Sequence, residues 1–137
     1  MINLKRMLSK KIVFIIFIIL FSCKQYNQSN INNLTIYKID LNTNTSVQAD
    51  CYDFQELFSD ILEKYQIKDK TILNELGALL TNIERDNLNA DMDVRKKIII
   101  SYSNKNNDTL CVDKFNISIN GKVVKKNRKL HQFLLDL

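Results

Sequence analysis

The 137-residue chain contains no proline and no tryptophan, only two glycines, Gly77 and Gly121, and one histidine, His131. Each shortage removes a class of function. Phosphate-cradling loops and the nucleophile elbow of serine hydrolases need two or more closely spaced glycines, and these two are far apart. One imidazole cannot build a histidine-rich metal site. As a general base it would need a nucleophile and an orienting acid that no local motif supplies. His131 falls beside the Leu130/Phe133/Leu134 stripe and reads as a surface residue. Asp91 and Asp93 flank Met92, yet the oxygen-ligand ladder and closing glutamate of a calcium loop are missing. They read as a solvated turn. No metal and no cofactor are expected.

Acids are missing where they would matter most. Residues 1–22 hold Lys5, Arg6, Lys10 and Lys11 and no Asp or Glu. Ile12 to Phe21 is an unbroken apolar run that ends at a small residue, Ser22. A basic start, a short apolar middle and a small residue make the layout of a secretory signal. Ten residues of helix reach about 15 Å, half the thickness of a bilayer core, so a stable span is disfavoured. The segment also dominates the charge. The whole chain carries +5, but from Cys23 onward 16 Lys and Arg face 15 Asp and Glu. The high isoelectric point therefore belongs mainly to the signal, and it argues for no nucleic-acid partner.

Leu20-Phe21-Ser22-Cys23 closes the apolar run. It resembles the lipobox of bacterial lipoproteins: an aliphatic residue, a tolerant position, a small residue and an obligatory cysteine. Leu20, Ser22 and Cys23 match, and Phe21 is bulkier than usual. The resemblance implies cleavage between Ser22 and Cys23 and a diacylglyceryl group on the Cys23 thiol, with further acylation of the new amine. A single acyl chain attaches only reversibly, whereas two or three make the anchor effectively permanent. Lys24 is not the aspartate that retains such proteins in the inner membrane, so the family rule favours the outer membrane. The expected location is the cell envelope. Beyond Cys23 the chain looks like the small lipoproteins of Gram-negative bacteria to which no activity is assigned.

The mature chain reads as a tether at 23–33 followed by one domain at 34–137. Lys24 to Asn33 is rich in Asn, Gln and Ser. Leu34 to Leu41 alternates as a strand, and 42–50 is a polar loop. Asp53 to Tyr65 predicts a helix. Asp53 and Glu56 form a capping box, and Phe54, Leu57, Phe58, Ile61, Leu62 and Tyr65 make one apolar stripe. A second helix, from Asp69 or Thr71 to Arg85, pairs antiparallel with the first. Strands follow at 94–102 and 109–119, then an Asn120-Gly121 type I′ turn, a return strand at 122–125 and a C-terminal helix. The expected fold is α+β: a small, mostly antiparallel sheet of three or four strands against two or three helices.

Two thiols remain beyond the anchor, Cys51 and Cys111. In an oxidising compartment their pairing is expected; two thiols placed by packing are the alternative. Charge is also divided along the chain. Asp40 to Asp93 holds 12 acids and 4 bases, whereas Arg95 to Lys129 holds 10 bases and 2 acids. Attraction between two layers of one domain accounts for this as well as a surface that steers a charged partner. Lys122, Lys125, Lys126, Arg128 and Lys129 are the densest cationic patch, suited to a protein partner or to anionic headgroups. The reading is a non-enzymatic, membrane-anchored binding, accessory or inhibitor-type protein. The alternatives are a small envelope hydrolase using carboxylates such as Asp113, and a structural spacer.

Overall fold

The computed structural model describes residues 31–85 and 91–137. Leu20, Phe21, Ser22, Cys23 and most of the expected tether lie outside the described residues. The fold is α+β, as expected. Among the described residues its sheet has six strands where three or four were expected. They are β1 (Ile31–Lys38), β2 (Glu63–Ile67), β3 (Lys96–Tyr102), β4 (Asn107–Val112), β5 (Ile117–Ile119) and β6 (Lys122–Val123). Every neighbouring pair is antiparallel, in the order β2-β1-β3-β4-β5-β6. The helices are α1 (Phe54–Leu57), α2 (Lys70–Leu80) and α3 (Arg128–Asp136).

The extra strands come from two places. Helix α1 stops after one turn, and residues 63–65, expected to be its end, join 66–67 in β2. The Glu63–Ile67 segment fits either period, because Tyr65 and Ile67 also alternate with Lys64 and Gln66. Tertiary pairing decides the outcome. β1 carries fully buried Leu34 and Ile36, so its backbone groups need partners on both sides. β3 supplies one side, and β2 the other through Leu34↔Ile67 and Ile36↔Tyr65. The expected capping box is also absent: Asp53 makes no side-chain cap. Instead the Asp50 carboxylate accepts from the backbone of Tyr52 and Asp53 at 2.7 and 2.9 Å. With β2 between them, α1 and α2 are not the expected helix pair.

The second split falls at Asp113, inside the expected 109–119 strand. Its carboxylate accepts from the Phe115 and Asn116 amides at 2.6 and 2.5 Å, folding the chain back into a β4–β5 hairpin. The Asn120-Gly121 turn is as predicted: both residues have positive φ, 50° and 77°, and Ile119 faces Lys122. At the N-terminal end, Ile31 and Asn33 already pair with Tyr102 and Ser101, so the strand starts inside the expected tether. Asp69 is the N-cap of α2, accepting from the Thr71 and Ile72 amides. That helix ends at Leu80 rather than Arg85, and Arg85 bridges to Val124 instead.

Alternation along the strands creates two cores. Leu34, Ile36, Ile98, Ile100, Leu110 and Val112 face α2 and α3 and meet Leu73, Leu76, Leu130 and Leu134. The opposite side of the sheet, marked by Cys111 and Val123, meets the 39–62 connection through Ile39, Ala49, Phe54 and Phe58. That connection, which includes α1, is called the arm below.

Candidate functional site

Two chain segments meet where α3 begins. The stretch after α2 runs alongside the stretch after β6, held by the Arg85–Val124 bridge and by the Lys125 amide donating to the Glu84 carbonyl at 2.9 Å. Asn127 then caps α3, its side-chain oxygen accepting from the Leu130 amide at 3.1 Å. Between the two segments lies an open groove of about 430 Å³, lined by Asn82, Ile83 and Glu84 on one wall and by 124–129 on the other. Ile83 and Val124 contribute its apolar surface.

Four of the five cations singled out from the sequence line this groove: Lys125, Lys126, Arg128 and Lys129. Lys122 lies just upstream on β6, and all five are exposed. Among the described residues Glu84 is the single acid in the lining. Lys125 holds it at 2.5 Å, and that hydrogen bond and positive charge keep the Glu84 carboxyl below its ordinary range. The first turn of α3 contains no acid, and Arg128 and Lys129 occupy it. Positive side chains therefore gather at the positive end of a helix dipole, so like sign meets like sign. A carboxylate or phosphate entering the groove would be attracted by the cations and the helix end together.

A second cleft, of about 460 Å³, opens on the arm side, lined in part by Asp50, Asp53, Asp91 and Ser118. Cys51 is in its wall and is joined to Cys111 with the Cα atoms 5.7 Å apart, the expected pairing. Asp93 is not part of a solvated turn. The Arg95 guanidinium grips both its oxygens at 2.8 and 2.5 Å, and its Oδ1 also accepts from the Ala49 amide. Among the described residues, no group of three or more His, Cys, Asp or Glu side chains is placed to hold a metal ion.

His131 and Asp113 do come together, though through the backbone: His131 Nε2 lies 2.9 Å from the Asp113 carbonyl oxygen. The ring is half-buried rather than on the surface, and it ties α3 to the β4–β5 turn. The Asp113 carboxylate is occupied with the turn amides and with Asn116 Nδ2.

Two buried cations escaped the sequence reading. Arg95 is 7% exposed and Lys96 4%. Besides Asp93, Arg95 donates to Thr45 Oγ1 at 2.9 Å, and its guanidinium lies over the Phe58 ring. Lys96 donates to the carbonyls of Leu134 and Leu135 at 2.8 Å each, capping the end of α3. One signal for Lys96 was available: it shares the phase of Ile98 and Ile100, a lysine in a core row.

No family model, no curated protein and no solved structure matches the chain. Among the described residues no helix is long and apolar enough to cross a membrane.

Proposed function

We propose that this protein is a lipid-anchored component of the cell envelope that works by binding, and that the basic groove is where it docks an acidic protein surface. The observation that carries the reading is the groove itself. Five exposed cations lie within 122–129, beside the apolar Ile83, and the one acid in the lining among the described residues is already engaged. Such a surface steers an acidic partner at long range and holds it at short range.

Anchoring rests on Cys23 and its lipobox. Acyl chains at the end of a polar segment would leave the domain in water beside the membrane, its groove open to neighbours. The Gram-negative rule applied to Lys24 points to the outer membrane. Intact mass of the membrane-extracted protein tests this part: cleavage before Cys23, acyl-chain mass and the two-dalton loss of one disulfide should appear together. A Cys23→Ser variant that is processed and partitions to membrane as before would overturn it.

Binding is tested by capture. The full chain, extracted in mild detergent, should bring down an acidic envelope protein in stoichiometric amount. A Lys126→Glu/Lys129→Glu variant should not. Equal recovery by both forms, or recovery of neither another acidic protein nor a second copy by the unaltered chain, counts against the groove.

A further inference from the structure

The arm is the groove's opposite in charge. Residues 39–62 contain Asp40, Asp50, Asp53, Glu56 and Asp60 and no Lys or Arg. All five acids are exposed, and among the described residues no salt bridge reaches them. The arm also shows apolar surface. Of the six large hydrophobic side chains exposed among the described residues, five lie on it, including Tyr52, Leu57 and Ile61. An isolated exposed leucine needs no explanation, but this concentration on one acid-only connection does.

Position matters as much as composition. Neighbouring residues of the strand at the sheet edge point to opposite faces. Val123 belongs to the arm-side core, beside the cleft that Asp50 and Asp53 line. Val124 belongs to the helix-side core and lines the basic groove. Asp50 and Asp53 on one face and the basic groove on the other therefore flank one edge from opposite sides of the sheet. A two-fold axis running parallel to β6, just outside that edge, turns a second copy over. The arm of each copy then faces the groove of the other, twice, in a closed arrangement.

We infer that the groove's occupant is the acidic arm of a second copy of this chain, and that the protein forms a symmetric dimer across its β6 edge. The inference rests on reading the groove as a docking site and names what docks there. Complementary charge sets the register, and the exposed Tyr52, between Asp50 and Asp53, supplies apolar area that charge alone does not.

Charge reversal tests it, with differently tagged full-length copies extracted in mild detergent and captured through one tag. Asp53→Lys/Glu56→Lys cuts the charge of a copy's arm from −5 to −1. Lys126→Glu/Lys129→Glu cuts that of the 122–129 patch from +5 to +1. Wild-type copies should capture one another, less so as salt is raised, because exposed charges are screened. Each variant alone should lose self-capture by about tenfold or more, the equivalent of about 1.4 kcal/mol. Mixing the two variants should restore it in part, because one contact of the mixed dimer again joins an unaltered arm to an unaltered groove. A mixture that stays apart, or variants that self-associate like wild type, overturns the dimer. If wild-type copies ignore one another while the groove still captures a different acidic protein, the dimer fails and the groove's docking role survives. Circular dichroism of each variant confirms that the fold is retained.

Discussion

The two sides of the sheet are held by different means. On the helix side, α2 and α3 cover an apolar layer in which Leu34, Ile36, Ile98, Ile100, Leu110, Leu130 and Leu134 are fully buried. Packing suffices there. On the arm side, most of the covering chain has no regular structure, and its core is smaller, centred on Phe54 and Phe58. A chain without helix or strand ladders still loses backbone entropy when it is fixed, about 1–2 kcal/mol per residue. Fixed side-chain clamps offset part of that: the Cys51–Cys111 disulfide, the Arg95–Asp93 fork and the Arg95–Thr45 bond. The arm depends on clamps as the helices depend on burial.

Breaking the disulfide should show the contrast most strongly. Its closed loop spans 60 residues, for which the chain-entropy model gives about 4 kcal/mol. A Cys51→Ser/Cys111→Ser variant should lose stability of that order in urea denaturation. Hydrogen exchange should quicken first at the arm amides of Glu56 and Leu57 and at Val94, whose amide donates to the arm's Ala49 carbonyl, while α2 and α3 keep their protection. Uniform loss of protection on both sides would mean that the two cores do not open separately. Truncating Leu134 to Ala attacks the other side. A fully buried leucine of this kind costs about 2–5 kcal/mol, and here the loss should spread through the whole molecule. Asp93→Asn is gentler, about 2 kcal/mol, because Arg95 keeps Thr45 and a neutral acceptor while its charge goes partly uncompensated. Its effect should be confined to the arm; wild-type arm exchange in this variant would remove the fork from the list of clamps.

The same division explains how much of the fold was legible in the sequence. Elements whose signals are local were readable: the start of α2 near Asp69 or Thr71, the Asn120-Gly121 turn, and the alternation of Ile98 with Ile100. Elements decided by pairing were not. Phe54 to Tyr65 carries a helical stripe, yet Leu57 and Ile61 are exposed, because β1 needed an edge partner and took residues 63–67. Asp113 ends a run that otherwise reads as one strand, and nothing adjacent to it announces that its carboxylate will fold back onto two amides. The candidate site was half visible. The cations of 122–129 stand out by composition, but their opposite wall, 82–84, was expected to lie within the second helix, which ends at Leu80. Sequence separation hides the meeting of these segments.

Lys96 gives the finest distinction between the sides, because it places a charge inside the side that relies on packing. Burial is the main cause that brings its ammonium down from 10.5 to about 8; the nearby Lys38, its cross-strand partner on β1, pushes the same way, and Asp136 on α3 opposes. The sign follows from proton counts. Below pH 8 the group is charged in both folded and unfolded chains, and the full penalty of burying charge is present. Between pH 8 and 10.5 the unfolded chain holds a proton that the folded chain has released, so stability rises with pH, by at most about 1.4 kcal/mol per unit for one proton. The neutral amine still donates to the Leu134 and Leu135 carbonyls, so the α3 cap survives the change. Lys96→Met removes both the cap and the proton. Measured by urea denaturation at pH 7, 8, 9 and 10, the stability of wild type relative to Lys96→Met should be flat at first and then climb above pH 8. Parallel curves across that range would show that the ammonium at the end of α3 is solvated, and that the helix side does not carry a buried charge.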